Sequence, residues 1–303
     1  MCIRDREGTG YRIMVSVANP ASALELVRNT YKLCGAASRT QKPTVELLHM
    51  VPVPSQVPLA DAGKYMLEGK EAILETMLYV GAQYPTSTHI RYCRNVARGI
   101  VSAVRERRVD LLIMGWHGGR RYRRERSPHA ISRVWSLDPF RIGSTVDPVL
   151  ERVPCNVVIL KDCGGERKFQ RVLVPLAGGP NGAYALEVAS ILAEPEEGQV
   201  TALTVRTGKA TVDIEAFVNA QRPRLHLPRE NVHTKSVIST NVADAILAEA
   251  QEHDLVVIGC SLEPRLRHVA REPLPQIIAE RCDKPMAMVK VSGGMRSWIK
   301  RWI

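Results

Sequence analysis

Five positions in the first half of this 303-residue chain have types and spacing suited to holding phosphate. They are Gly115 and Gly118, which enclose Trp116 and His117, and the run Gly143, Ser144, Thr145. Glycines let a backbone curl around phosphate oxygens, and a Ser-Thr pair at a helix start offers hydroxyls and unpaired N–H groups to an anion. The chemistry implied is retention of an anion, not bond making. There is no G-x-x-x-x-G-K-[ST] loop, which excludes P-loop chemistry, and no nucleophile–base–orienter set of the kind hydrolysis requires. The eight histidines show no metal-ligand spacing, and His117 reads as a turn residue. Turn chemistry alone is the alternative reading of the same glycines, because such patterns are degenerate.

The elements that must position these residues occur twice. Apolar, β-branched runs at 12–17 and 171–176 each end in a turn cluster, Ala18-Asn19-Pro20 in one half and Ala177-Gly178-Gly179-Pro180 in the other. Helical spacing follows over 21 to about 36 and 182 to about 193, then second strands at 45–51 and 200–205. Residues 96–115 align with 242–259: an amphipathic helix, an Asp at the turn, and a buried strand ending in glycine. Residues 151–161 align with 280–290 as a helix end, a proline-bearing turn and a last strand. With third strands at 89–93 and 232–237, each half has five strands. Strands alternating with helices predict right-handed crossovers and an α/β fold of two tandem Rossmann-like domains. Each is expected to be a five-stranded parallel sheet of order 3-2-1-4-5 with helices on both faces. The crevice then lies between the ends of strands one and four, at Ala18 and Asn19 and at Gly115.

The copies are unequal. Gly115 to Glu151 spans 36 residues and Gly259 to Glu280 spans 21, so the first half carries fifteen more, in an arginine-rich stretch near 119–142. The second half keeps Gly259 but has neither a second glycine nor a Gly-Ser before its last helix, and is expected to hold no phosphate. The domains read as a leader at 1–10, a first domain at 11–162, a linker at 163–168, a second, degenerate domain at 169–291 and a basic, Trp-bearing tail at 292–303.

Composition narrows the classes. Hydrophobic content of 45% and charged content of 24% are those of a packed globular chain. No apolar run reaches the roughly 18–20 residues that span a bilayer. Seven scattered cysteines without a C-x-x-C pair argue against a disulfide framework or zinc site. Of the net charge of +11, four charges lie in residues 120–126 (RRYRRER). Nucleic acid is not the expected partner of that cluster, since no nucleic-acid fold accompanies it; a solvated loop, acidic lipid or a nucleotide's own γ-phosphate are the alternatives. Residues 292–297 (SGGMRS) resemble a pyrophosphatase loop but follow the last strand and carry Arg296 where an acidic or amide group belongs.

The glycine pattern and the repeat layout resemble the universal stress protein family over nearly the whole chain, as two tandem modules. The resemblance implies ATP as the ligand of the first domain, with Gly115, Gly118, Gly143, Ser144 and Thr145 at the phosphates. The backbone at Met50 and Val51, after strand two, would sit near adenine. Ala18 and Asn19 stand where the family's ATP binders have Asp, and the spacing from Gly118 to Gly143 exceeds the family's. Tandem modules of this kind also form the cytoplasmic C-terminal part of amino acid–polyamine–cation permeases, which the turn at 115–118 and the run at 143–147 resemble in particular.

The expectation is therefore a non-catalytic, adenine-nucleotide-responsive regulator in stress response or of a membrane transporter acting in cis or trans. It is expected in the cytoplasm or tethered to the cytoplasmic face of the membrane. The two halves are expected to form an intramolecular pseudo-dimer through 156–160 and 286–289, with a homodimer as a further option. The alternatives are a slow ATPase or adenylate-transferring enzyme, and a nucleotide-free interaction scaffold.

Overall fold

Strands buried on both faces of a sheet need nearly unbroken aliphatic sequence, and helices that cover them need one apolar stripe. The chain alternates the two. The computed structural model describes residues 10–37, 43–58, 60–61, 63, 71–116, 145–163, 167–208, 212–260 and 274–292. Within them the first half runs β1 (Arg12–Ser16), α1 (Pro20–Ala37), β2 (Thr44–Pro52), α2 (Glu71–Gln83), β3 (Thr86–Cys93), α3 (Val96–Arg107), β4 (Leu111–Gly115), α4 (Val146–Arg152) and β5 (Asn156–Lys161). The second runs β6 (Arg171–Pro175), α5 (Gly179–Leu192), β7 (Gln199–Arg206), α6 (Ile214–Gln221), β8 (Val232–Ile238), α7 (Val242–Ala250), β9 (Leu255–Gly259), α8 (Leu274–Arg281) and β10 (Met286–Lys290).

All ten strands form one sheet of order β3-β2-β1-β4-β5-β10-β9-β6-β7-β8. Each half has the expected order 3-2-1-4-5, with parallel ladders throughout. The halves meet at an antiparallel ladder between β5 and β10, which pairs Lys161 with Met286 and Val157 with Lys290. Helices α1, α2, α5 and α6 bury Leu26, Met77, Leu186 and Val218 on one face. Helices α3, α4, α7 and α8 bury Ile100, Leu150, Ile246 and Ile278 on the other. Each core therefore continues across the join. The third strands of both halves are the sheet edges, and β3 begins at Thr86, three residues before the apolar pattern signals it. Its first residues, Thr86, Ser87 and Thr88, are polar because an edge strand is open to water.

Local signals repeat with the fold. Asn95 caps α3 by accepting from Arg98 N (2.9 Å), and Asn241 caps α7 by accepting from Ala243 N (3.1 Å) and Asp244 N (3.3 Å). The aspartates noted at the turn before β4 and β9 are clamps. Asp110 accepts from Arg12 N through its carboxylate (2.9 Å) and donates its own N–H to Arg12 O (2.9 Å). Asp254 does the same with Arg171 N (2.9 Å) and Arg171 O (2.7 Å), and also accepts from Gln170 N (3.0 Å).

Two lysines cross the join in opposite directions. Lys161, ending β5, donates to Ala279 O (2.8 Å) and Cys282 O (2.6 Å) at the carboxyl end of α8. Lys290, ending β10, donates to Leu150 O in the last turn of α4. A cation at a helix carboxyl end satisfies orphan carbonyls and meets the negative pole of the helix. Burial pushes the Lys290 ammonium below its ordinary range. The six cysteines among the described residues are all buried and free. Burial pushes the thiols of Cys155, Cys163 and Cys260 up to about 12 and that of Cys34 up to about 11.

Two outcomes follow. Lys161→Met removes two charge-assisted hydrogen bonds and should cost about 2 kcal/mol, read as a lower urea midpoint at unchanged m; a midpoint equal to wild type would show the cap to be idle. At pH 8 iodoacetamide should leave these six cysteines unmodified in the folded chain and modify all of them in urea, because the thiolate is the nucleophile. Rapid labelling of any of the six before unfolding would contradict the burial.

Candidate functional site

In the first half, β1 hands the chain to α1 on one face of the sheet, whereas α4 lies on the other face beside β4 and β5. Segments leaving in opposite directions part at the carboxyl ends of β1 and β4, which makes a crevice at the point where strand order reverses. Ala18 and Asn19 stand exposed at the end of β1, with Asn19 O accepting from Ser22 N (3.2 Å) and Ser22 Oγ (3.0 Å). Gly115 closes β4, partly exposed and paired with Leu160. Trp116 follows, buried, its N–H donating to Leu160 O (2.8 Å) and its ring 5.6 Å from the Lys161 ammonium. Thr145 is the N-cap of α4 and makes no side-chain capping bond. Because α4 runs antiparallel to the strands, Thr145 lies at the same edge as Gly115. Gly118, Gly143, Ser144, His117 and the arginine-rich stretch at 119–142 lie outside the described residues, as does the tail beyond Ser292.

Strand β2 runs to Pro52, and Val51 is 3% exposed and paired with Tyr92 of β3. Backbone groups alternate sides along a strand. Leu48 O accepts from Val17 N (2.8 Å), so Leu48 faces β1, and two residues on Met50 faces the same way, past the end of β1. The backbone edge open to the crevice is thus Met50's. Sequence reasoning also passed over His49, which reads as a core residue. Its Nδ1 lies 2.9 Å from Val17 O. A carbonyl can only accept, so Nδ1 carries the proton and ties the end of β1 to β2. The repeat held the signal: Thr204 occupies the matching position of β7, and its Oγ1 donates to Leu176 O (3.1 Å).

The crevice of the second half is filled. Asn181, in the first turn of α5, donates through Nδ2 to Cys260 O (2.8 Å) and accepts through Oδ1 from Val291 N (2.9 Å). A Cβ placed on Gly259 would lie 2.8 Å from Asn181 C and 2.9 Å from Asn181 O, so only glycine fits beneath that turn. The strands also part earlier. The β1–β4 ladder reaches Ser16 and Met114, whereas β6–β9 stops at Leu173 and Val256. Leu176 N donates to Leu203 O of β7 (2.8 Å), so the preceding backbone nitrogen points at β9, and there Pro175 has no hydrogen to give. Gly259 is explained by close helix packing, and Gly115 holds the matching place at the end of β4.

Among the described residues no group of three or more His, Cys, Asp or Glu side chains could hold a metal ion, and no helix is long and apolar enough to cross a membrane.

Comparison with known proteins agrees with this architecture. Over 92% of this chain and 98% of the other, the fold matches a universal stress protein from Archaeoglobus fulgidus, with a TM-score of 0.56 at 14% identity. A Pseudomonas aeruginosa protein described as a universal stress protein matches over 93% of this chain and 94% of its own, with a TM-score of 0.53 at 14% identity. Identities this low show the fold alone. Among curated proteins, the Na(+)/H(+) antiporter NhaS5 of Synechocystis sp. is 25% identical over 203 residues, which is 63% of this chain and 26% of the antiporter. The chain thus spans about a quarter of the curated relative that it matches. The model of the universal stress protein family matches residues 11–161. By its first half, the chain belongs to the universal stress protein family.

Proposed function

We propose that the chain is a non-catalytic regulatory module that responds to an adenine nucleotide held by its first half. The observation that carries this reading is the crevice at the strand-order reversal, with Ala18 and Asn19 exposed at one rim and Gly115 partly exposed at the other. Met50 turns its backbone edge toward it, able to hydrogen-bond the edge of a purine as a neighbouring strand would. Gly115, Gly118, Gly143, Ser144 and Thr145 form the phosphate cradle in this reading, and ATP is the nucleotide. Asn19 stands in for the Asp of ATP-binding relatives, contributing an amide and no charge.

The second half, its crevice filled by Asn181, serves as a structural partner. The β5–β10 ladder and the two crossing lysines then make the halves an intramolecular pseudo-dimer, with the domains at 11–162 and 169–291. Similarity to a stretch of an antiporter supports action on a membrane transporter, in cis or in trans, from the cytoplasmic side. A second reading, a nucleotide-free scaffold, is favoured by Gly259: packing alone requires a glycine there, and Gly115 holds the same position.

Calorimetric titration with ATP, ADP and AMP separates the readings. One nucleotide per chain is expected, with no ATP turnover. Absence of any heat favours the scaffold, and steady hydrolysis would reinstate the enzyme. Thr145→Ala should weaken nucleotide binding about tenfold, the worth of one hydrogen bond to a charged group, while leaving the melting temperature nearly unchanged because no capping bond is lost. Gly259→Ala should do the reverse, costing about 1–3 kcal/mol of stability through overpacking against Asn181 at unchanged nucleotide affinity.

A further inference from the structure

The antiparallel join has a geometric consequence: the carboxyl ends of the first-half strands and the amino ends of the second-half strands share one edge of the sheet. Along that edge, Gly115 pairs with Leu160, Lys161 with Met286, and Met286 with Val256. Three strand steps of about 4.8 Å put the amino end of β9 roughly 14 Å from the first-half crevice. A concavity of about 320 Å³ opens at this place, lined by Arg167, Lys168, Phe169, His253, Asp254, Lys284 and Pro285.

We propose that this concavity is a second anion site, for a small, multiply charged oxyanion of the phosphate class. The cations converge from separate segments: Arg167 and Lys168 precede β6, and Lys284 comes from the turn between α8 and β10. Among the described residues, none of these three side chains has a hydrogen-bond or ion-pair partner. The one carboxylate in the lining is committed, since Asp254 Oδ2 already accepts from Gln170 N and Arg171 N. His253 is 6% exposed and is fixed by its Nδ1, which donates to Glu249 O (2.8 Å). Like charges gathered at a concave surface concentrate anions there.

The internal repeat supplies an independent comparison. Asp110 and Asp254 make the same clamp, which fixes the register between the halves. In that register His253 and Lys284 correspond to Val109 and Cys155. Of the five ionisable residues in the lining, Asp254 has a charged counterpart in Asp110, whereas His253 and Lys284 are matched by uncharged Val109 and Cys155. Val109 and Cys155 are buried there, as ordinary core residues. The pairing of His253 with Lys284 is therefore peculiar to the second half and not a by-product of the fold.

The test is calorimetry on the full chain at low ionic strength with inorganic phosphate, pyrophosphate and ATP, for wild type and for Lys168→Gln/Lys284→Gln. Both substitutions are at surface positions, and an unchanged melting temperature checks that the variant folds. Wild type should bind pyrophosphate more tightly than phosphate, with affinity falling as salt is added. The double variant should bind pyrophosphate at least tenfold more weakly. If ATP affinity is unchanged in that variant, the occupant is a free oxyanion; if ATP weakens in parallel, the site takes a nucleotide's own phosphates. No binding of pyrophosphate by wild type, or equal binding by both proteins, would overturn the proposal. This reading stands apart from the first-half cradle: pyrophosphate held there is weakened by Thr145→Ala, and pyrophosphate held here by Lys168→Gln/Lys284→Gln.

Discussion

The structure depends on the antiparallel pairing of β5 with β10. Each half alone would end in a flat aliphatic edge, Val157 to Leu160 in one and Met286 to Val289 in the other, and such an edge invites aggregation. Joining them turns two liabilities into the centre of a ten-stranded sheet, where these residues are at most 4% exposed. Their side chains alternate between the two faces, so the join carries both helix-covered cores from one half into the other. The lysines that end the two strands extend it, since each reaches a helix of the opposite half.

The same pairing sets the polarity of function. Because β5 and β10 run in opposite directions, the crevice of one half opens on the edge where the other half presents its strand starts. The two halves differ at both edges. At the carboxyl edge the first copy keeps Gly115 beside exposed Ala18 and Asn19, whereas the second has Asn181 bonded into the gap and Pro175 ending the ladder early. At the amino edge the difference is reversed, with apolar Val109 and Cys155 in the first copy and His253 and Lys284 in the second. Lys161 lies between these two places, its ammonium on the carboxyl end of α8 and near the Trp116 ring.

Much of the fold was legible because the chain states it twice. Matching runs such as 96–115 and 242–259 fix the order of elements, and the alternation of strand and helix fixes the parallel sheet. What was not legible depends on neighbours that a sequence does not name. The start of β3 at Thr86 is hidden because an edge strand lacks the apolar alternation of a central one. Whether Met50 or Val51 turns its backbone to the crevice depends on where β1 stops, a matter of register and not of residue type. Asn181 reads as a plain helix-start residue until the approach of α5 to Gly259 shows what it fills. The pocket at His253 and Lys284 joins positions 31 apart in sequence that only the β9–β10 ladder brings together.

The central claim is that the two crevices are functionally unequal. Amide hydrogen exchange on the whole chain, with and without saturating ADP, tests it at the level of single segments. The account predicts slowed exchange at Ala18 and Asn19, at Gly115 and Trp116, and across 143–145, with no change at Asn181, Gly259 or Cys260. Protection of the second-half positions on adding nucleotide, or of neither set, would contradict it.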